Sequence, residues 1–218
     1  MSDFLSRFRH EFRLAACTFF VLVLALGRPV VLNAQQSGTA IVFLAEPQVG
    51  EDFWSGLYQS LREDLEAGAG EVPDGVALDR NPDLLRRDDL VRGIQAADVI
   101  EVKLLGRCDV LPQAERPWLR ASASPLGWVK QAAGEIQPFI FIDCQRIAQV
   151  LRPATLGLDQ EQRKQAMTQA IVHVLIHEWI HVATQSSLHS AHGIERASLS
   201  VRELIASPPQ ARLRAANN

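Results

Sequence analysis

The sequence lacks a strong excess of charge of either sign, and it lacks internal repeats and low-complexity segments. With 22 Lys and Arg against 25 Asp and Glu, the formal net charge of the 218-residue chain is −3. This balance provides neither the basic surface that nucleic-acid-binding proteins use nor an acidic tail. A hydrophobic content of 47% is typical of a globular protein. The composition therefore excludes fibrous and repeat proteins and gives no sign of a nucleic-acid partner.

An apolar run long enough to span a bilayer comfortably is also missing near the N-terminus. The run there, Leu14–Leu26, has 13 residues and follows a start rich in arginine. Gly27 and Pro29 interrupt it. This length suits the core of a signal peptide better than a membrane span. We predict a signal peptide over residues 1–34, cleaved after Ala34, and a secreted or periplasmic protein with no stable membrane span. An uncleaved N-terminal anchor is the alternative.

Cysteine is scarce, with three in the chain. Cys17 falls in the predicted signal peptide, so Cys108 and Cys144 remain in a predicted single domain over residues 35–218. Because an exported protein with two cysteines can form one disulfide, we predict that these two pair. Two buried free thiols are the alternative.

The periodicity of apolar residues in this domain indicates an α+β fold in the order β-α-α-β-β-β-α-α-α. The strands predicted from alternation and β-rich runs are 39–46, 98–108 and the two arms of a hairpin, 126–132 and 138–142. The helices predicted from helical spacing and capping residues are 51–68, 81–97, a short helix capped by Asp143, 159–184 and a last helix with Ser200 and Glu203 as a capping box.

The helix predicted over 159–184 is apolar on most of its faces between Ala166 and Ala183. Such a helix is buried, and polar side chains on it need partners. Asp159 is the predicted N-cap, with Gln162 completing a capping box.

Five of the six histidines lie between His173 and His192, and two of them belong to an HExxH motif on this helix. His177 and His181 are four residues apart, so both rings project from one face at a separation that lets them share one tetrahedral zinc ion. Glu178 projects beside that face and can take a proton from a water that zinc acidifies. The alternative is a hydrogen-bonded pair of core histidines. His173, one turn earlier, is more consistent with packing or hydrogen bonding than with a ligand role.

Catalytic zinc sites usually have three protein ligands and a water, and the residues alone leave four candidates for the third ligand. His189 follows His181 after seven residues, which allows the helix to end near Thr184 or Gln185 and the chain to turn back. The other candidates are His192, Glu195 and Glu203, although the capping box already accounts for Glu203.

The stretch around the motif resembles zincin-type metallopeptidases, and more closely small exported bacterial proteins in which HExxH is followed by seven residues, His-Ser, two residues and Gly-Ile-Met. The matching residues are His177, Glu178, His181, His189, Ser190, Gly193 and Ile194. Glu195 stands where those proteins have methionine. The resemblance implies a zincin-like fold, in which a small mixed or antiparallel sheet packs on a long buried active-site helix. It also implies zinc, with His189 as the third ligand.

The resemblance also suggests that residues 138–142 form an exposed strand that pairs with an extended substrate peptide. These residues are nearly all apolar, so a buried core strand explains them equally well.

Three functions fit these observations. The preferred one is an exported zinc-dependent peptidase in which Glu178 assists the attack of zinc-bound water on a peptide or protein substrate. A non-catalytic zinc-binding protein of the cell envelope, with a site closed by Glu195 or His192, is the second. A metal-free secreted binding domain is the third. Neither cleavage specificity nor oligomeric state follows from the sequence.

Overall fold

The structure, a computed structural model, describes residues 38–45, 49–69, 78–92, 94, 96–109, 124–189 and 198–206. These residues belong to the unit Gln36–Asn218. The predicted signal peptide lies outside the described residues. Within the described ranges, no helix is both long enough and apolar enough to cross a membrane.

Five strands form one mixed sheet. In chain order they are β1 (Thr39–Leu44), β2 (Asp83–Arg86), β3 (Asp98–Leu105), β4 (Gly127–Ala132) and β5 (Glu135–Asp143). Their order across the sheet is β2-β1-β3-β5-β4. β2, β1, β3 and β5 are parallel to their neighbours in this order. The last strand, β4, runs antiparallel to β5. The predicted α+β class and mixed sheet are therefore confirmed.

Four helices accompany this sheet. They are α1 (Glu51–Glu66), α2 (Cys144–Thr155), α3 (Gln160–Thr184) and the short α4 (Val201–Leu204). Buried side chains from the sheet and from α1, α2 and α3 form one core, which includes Phe43, Leu57, Ile140, Ile147 and Ile171. Because nearly every residue of α3 from its second turn to the motif is buried, the predicted buried helix is confirmed.

The predicted helix caps are also confirmed. The Asp159 carboxylate accepts a hydrogen bond from the Gln162 backbone N–H at 2.8 Å, and the Gln162 side chain accepts one from the Asp159 N–H. Asp143 caps α2 by accepting from the backbone N–H of Arg146 at 2.9 Å. These local hydrogen bonds fix the residues at which α2 and α3 begin. They thereby fix the position of each side chain along the helix axis.

The prediction of a helix over residues 81–97 is wrong. Residues Asp83–Arg86 form β2, and a 3-10 helix covers Arg87–Arg92. Leu84 lies opposite Ile41 in a parallel pair with β1. The reason is tertiary: pairing with the exposed edge of β1 outweighs a weak local helical preference.

The suggestion that residues 138–142 pair with a substrate is also wrong, because they form the middle of β5. Both edges of β5 are occupied, by β3 on one side and β4 on the other. Among the described residues, β4 is the end strand on this side of the sheet.

Cys108 and Cys144 form a disulfide, as predicted, with their Cα atoms 4.7 Å apart. The bond joins the segment that leaves β3 to the first residue of α2.

Candidate metal centre

Three histidines converge at the C-terminal end of α3. One ring nitrogen from each of His177, His181 and His189 lies within 4.8 Å of the other two. Nε2 of His177 and Nε2 of His181 are 3.2 Å apart. The His189 ring stacks on that of His177 with a centroid distance of 5.2 Å and meets that of His181 nearly edge-on at 4.9 Å. The chain has thus brought a residue from beyond the helix onto the face that bears the motif.

This spacing fits a single metal ion. Two nitrogens that each lie 2.0–2.1 Å from a tetrahedral zinc ion are about 3.3 Å apart, close to the observed separation of 3.2 Å. The three imidazoles can therefore hold one metal ion without rearrangement of α3.

The ring of His181 is oriented by a backbone group. Nδ1 of His181 lies 2.6 Å from the carbonyl oxygen of Ser186. Because a carbonyl oxygen can only accept, Nδ1 carries the proton, and Nε2 presents its lone pair to the metal position. Hydrogen bonds of this kind fix the tautomer and the ring angle of metal-ligating histidines.

Gln185 sets the path by which the chain returns toward His177. It ends α3 in the left-handed conformation, with φ of 52°. Its side-chain amide donates to the carbonyl oxygens of Ile136 at 2.9 Å and Val182 at 2.8 Å, and its side-chain oxygen accepts from the Ile136 N–H at 3.1 Å. The end of the helix is thereby tied to β5, and four residues later His189 completes the cluster.

Glu178 lies beside the cluster and is buried, with 6% of its surface exposed. Burial raises the pKa of Glu178 to about 7. No described residue donates a hydrogen bond to its carboxylate. A carboxyl group whose pKa lies near neutrality can both accept and return a proton at physiological pH.

His189 also has a shifted pKa. Partial burial, followed by the neighbouring His181, lowers the pKa of His189. Both causes favour the neutral imidazole, which is the form that binds metal.

Glu178 is held close to the sheet because residue 127 is glycine. A Cβ atom at Gly127 would lie 2.5 Å from Cγ1 of Val174 and 3.1 Å from Cγ of Glu178. Separations this short are not compatible with ordinary packing, so only glycine lets β4 approach α3 this closely.

Among the described residues, the structure does not place the other candidate metal ligands in the histidine cluster. His173 points to a separate buried group, with Nε2 at 3.1 Å from the Asp64 carboxylate and 3.0 Å from the Gln169 amide nitrogen. Glu203 accepts from the backbone N–H and hydroxyl of Ser200 at 2.7 and 2.6 Å. It therefore acts as the predicted capping residue, and the histidine cluster does not include it. His192 and Glu195 lie outside the described residues.

A cleft of about 570 Å³ opens over the cluster. Its walls come from the segment Ser124–Val129 and Gln131, from Arg146 and Val150 of α2, from Val174, His177, Glu178 and His181 of α3, and from Ser187, His189, Ser198 and Leu199. A volume of this size is typical of ligand-binding sites. The cleft thus gives a ligand access to both the histidines and Glu178.

Three residues of the site did not emerge from the sequence: Gly127, Arg146 and Gln185. Gly127 begins a strand, where a glycine indicates a close backbone approach, and this signal could have been used. Nothing in the local sequence marks Arg146 or Gln185, because each acts on a distant element.

Neither a protein-family model, nor a curated protein, nor a solved structure matches this chain. The function proposed below therefore rests on the geometry of the site and on the chemistry of its residues.

Proposed function

We propose that the protein is an exported zinc-dependent peptidase of the zincin type. The observation that carries this proposal is the convergence of His177, His181 and His189 beside the buried carboxyl group of Glu178, at the wall of an open cleft. A purely structural metal site has no need of a buried acid beside the ligands, and none of the described residues donates a hydrogen bond to this one.

Zinc is the metal that we propose for this site. Neutral imidazole suits zinc and several other divalent transition metals, and three protein ligands with one open position are typical of catalytic zinc. When bound, such a cation acidifies water and polarises a carbonyl group. The histidines hold it, with Ser186 fixing the angle of the His181 ring.

Glu178 supplies the proton transfers of peptide hydrolysis. Its carboxylate takes a proton from the attacking water and passes it to the nitrogen of the leaving amine. Burial favours the protonated form of this carboxyl group, which suits a group that takes up a proton and then returns it.

The strand β4 offers a place for the substrate backbone. It lines the cleft from Gly127 to Val129 and again at Gln131, and it is the end strand of the sheet within the part of the chain that the structure describes. An extended peptide can add to such an edge through main-chain hydrogen bonds, which would bring a peptide bond past the histidines.

The test compares wild-type protein with Glu178→Gln and His189→Ala after identical purification. We expect about one zinc ion per chain in the wild type and in Glu178→Gln, and loss of tight binding in His189→Ala. A screen of mixed peptides should show hydrolysis by the wild type, reduced at least about 100-fold in Glu178→Gln. Glu178→Gln is also the control for a contaminating protease, because it differs by one side-chain group.

Hydrolysis at the wild-type rate in Glu178→Gln would contradict the proposed mechanism. Zinc bound with no hydrolysis of any peptide, and with a fourth protein ligand such as His192 or Glu195 detected by X-ray absorption, would favour a non-catalytic zinc-binding protein. A folded protein that cannot be loaded with zinc would favour a metal-free binding domain.

A further inference from the structure

Arg146 places a cationic side chain in the wall of the cleft. It is the third residue of α2, whose start is fixed by the bond from its own N–H to the Asp143 carboxylate. The cleft that it lines also contains His177 and Glu178. Among the described residues that line this cleft, Arg146 is the one lysine or arginine.

The guanidinium group of Arg146 forms few hydrogen bonds with the described part of the protein. Nη1 donates to the side-chain oxygen of Gln149 at 3.3 Å, a long bond to a neutral acceptor. Nε is buried and has no hydrogen-bond partner among the residues that the structure describes. Within the described ranges, no carboxylate lies within 4.0 Å of the group, and Asp143 is already engaged with the backbone. A guanidinium has five N–H donors, so most of its capacity to bind an acceptor is unused.

The surroundings strengthen any interaction made there. Apolar side chains line the same cleft, among them Leu126, Val129, Val150 and Val174. Charge-assisted hydrogen bonds are stronger where water is partly excluded. The group whose geometry matches a guanidinium is a carboxylate, which can accept two parallel N–H bonds.

We infer that Arg146 is a specificity-determining residue that binds a carboxylate of the ligand in the cleft. This inference rests on the proposed peptidase function for its substrate class, since a peptide can carry such a carboxylate at its C-terminus or on an Asp or Glu side chain. Arg146 lies on α2, whereas the histidines and Glu178 belong to α3 and the loop after it. Because a guanidinium keeps its proton in proteins, Arg146 selects the substrate without taking part in the proton transfers.

The test measures peptide binding by calorimetry in zinc-loaded Glu178→Gln protein, so that binding is separated from hydrolysis. The probes are three forms of acetylated tetra-alanine: blocked by a C-terminal amide, with a free C-terminal carboxylate, and amidated with one alanine replaced by glutamate. At least one of the two carboxylate peptides should bind about tenfold or more tightly than the neutral peptide. Which of them does so identifies the source of the carboxylate.

The decisive comparison adds Arg146→Gln to the Glu178→Gln protein. The preference for the carboxylate peptide should fall to about twofold or less, and binding of the neutral peptide should be unchanged. Arg146→Lys should retain part of the preference, because it keeps the charge but loses the planar fork. Arg152→Gln, on the same helix but not among the residues that line the cleft, is the matched control and should behave like its parent. Thermal unfolding of each variant shows that it is folded.

A carboxylate preference that persists in Arg146→Gln would overturn the inference, as would equal or undetectable binding of all three peptides to the folded parent. A failure of the proposed peptidase function can be distinguished from a failure of this inference. If protein with Glu178 intact hydrolyses no peptide while the Arg146-dependent preference remains, the peptidase proposal falls and carboxylate binding stands. If peptides are hydrolysed, Arg146→Gln should raise KM for the carboxylate peptide far more than it lowers kcat.

Discussion

Tyr58 is the single tyrosine of the chain, and its environment disfavours ionisation. Its ring packs between Phe43 and Trp54, with centroid distances of 5.6 and 5.9 Å. Its hydroxyl group is buried, and none of the described residues forms a hydrogen bond with it. Burial raises the pKa of Tyr58 to about 12, against a smaller lowering effect of the neighbouring Arg86.

We therefore expect the stability of the fold to decrease in strongly alkaline solution through this residue. The folded pKa is about 12, above the value of about 10 for an unfolded chain. The contribution of Tyr58 to stability is thus fully present below about pH 10 and is lost as the pH rises toward 12. Tyrosinate absorbance reports on Tyr58 alone. Its midpoint should lie near 12 in the folded protein and near 10 in denaturant.

Tyr58→Phe provides the control for this titration, because it removes the ionising hydroxyl and keeps the packed ring. Its absorbance should show no tyrosinate signal, and the alkaline decrease in its free energy of unfolding should be smaller. A midpoint near 10 in the folded wild type would contradict the burial of this hydroxyl.

At the scale of elements, the close approach of β4 to α3 decides where Glu178 lies. The three atoms nearest to a Cβ atom built at Gly127 belong to Val174, Glu178 and Phe141, at 2.5, 3.1 and 3.2 Å. A methyl group at this position must push the strand away from the helix or displace the side chains of Val174 and Glu178. Either movement changes the cleft.

We expect Gly127→Ala to lower the free energy of unfolding by about 1–3 kcal/mol, as overpacking in a core typically does. Chemical denaturation measures this change. Adding Val174→Ala removes the nearest obstructing atom, so the double variant should lose less stability than the two single changes together. Gly157→Ala is the control, since a Cβ atom there meets nothing within 4 Å. Equal stability of Gly127→Ala and Gly157→Ala would show that β4 does not approach α3 as described.

What could be predicted from the sequence is mainly what short-range chemistry determines. The capping boxes at Asp159 and Ser200 and the cap at Asp143 each depend on residues three positions apart, so the sequence alone indicates them. The four-residue spacing of His177 and His181 likewise fixes their common face. These features follow from helix geometry and need no knowledge of the rest of the fold.

What could not be predicted depends on which elements become neighbours. The segment that forms β2 has a proline entry and leucines that also suit a helix, and its pairing with β1 decides the outcome. The central position of β5 follows from its two partners, β3 and β4. Arg146 enters the cleft because α2 packs beside α3. Long-range contacts such as these leave no regular spacing in the sequence.

At the scale of the whole molecule, the cleft joins parts of the chain that are far apart in sequence, and the disulfide holds one of these parts in place. The bond between Cys108 and Cys144 encloses a loop with a sequence separation of 36 residues. That loop contains all of β4 and β5, and it ends two residues before Arg146. One wall of the cleft therefore belongs to a covalently closed segment.

We expect reduction of this disulfide to lower the free energy of unfolding by about 3–4 kcal/mol, because opening a loop of this length restores conformational entropy to the unfolded chain. Denaturant titration with and without a reductant measures the change without altering any side-chain volume. The Cys108→Ala, Cys144→Ala double variant should lose at least as much stability, since Cys144 is fully buried, and it should not respond further to reductant. That insensitivity separates the effect of the bond from any other action of the reductant. If the wild type were equally stable in both conditions, the bond would not constrain the unfolded chain, and the β4 wall of the cleft would depend on packing alone.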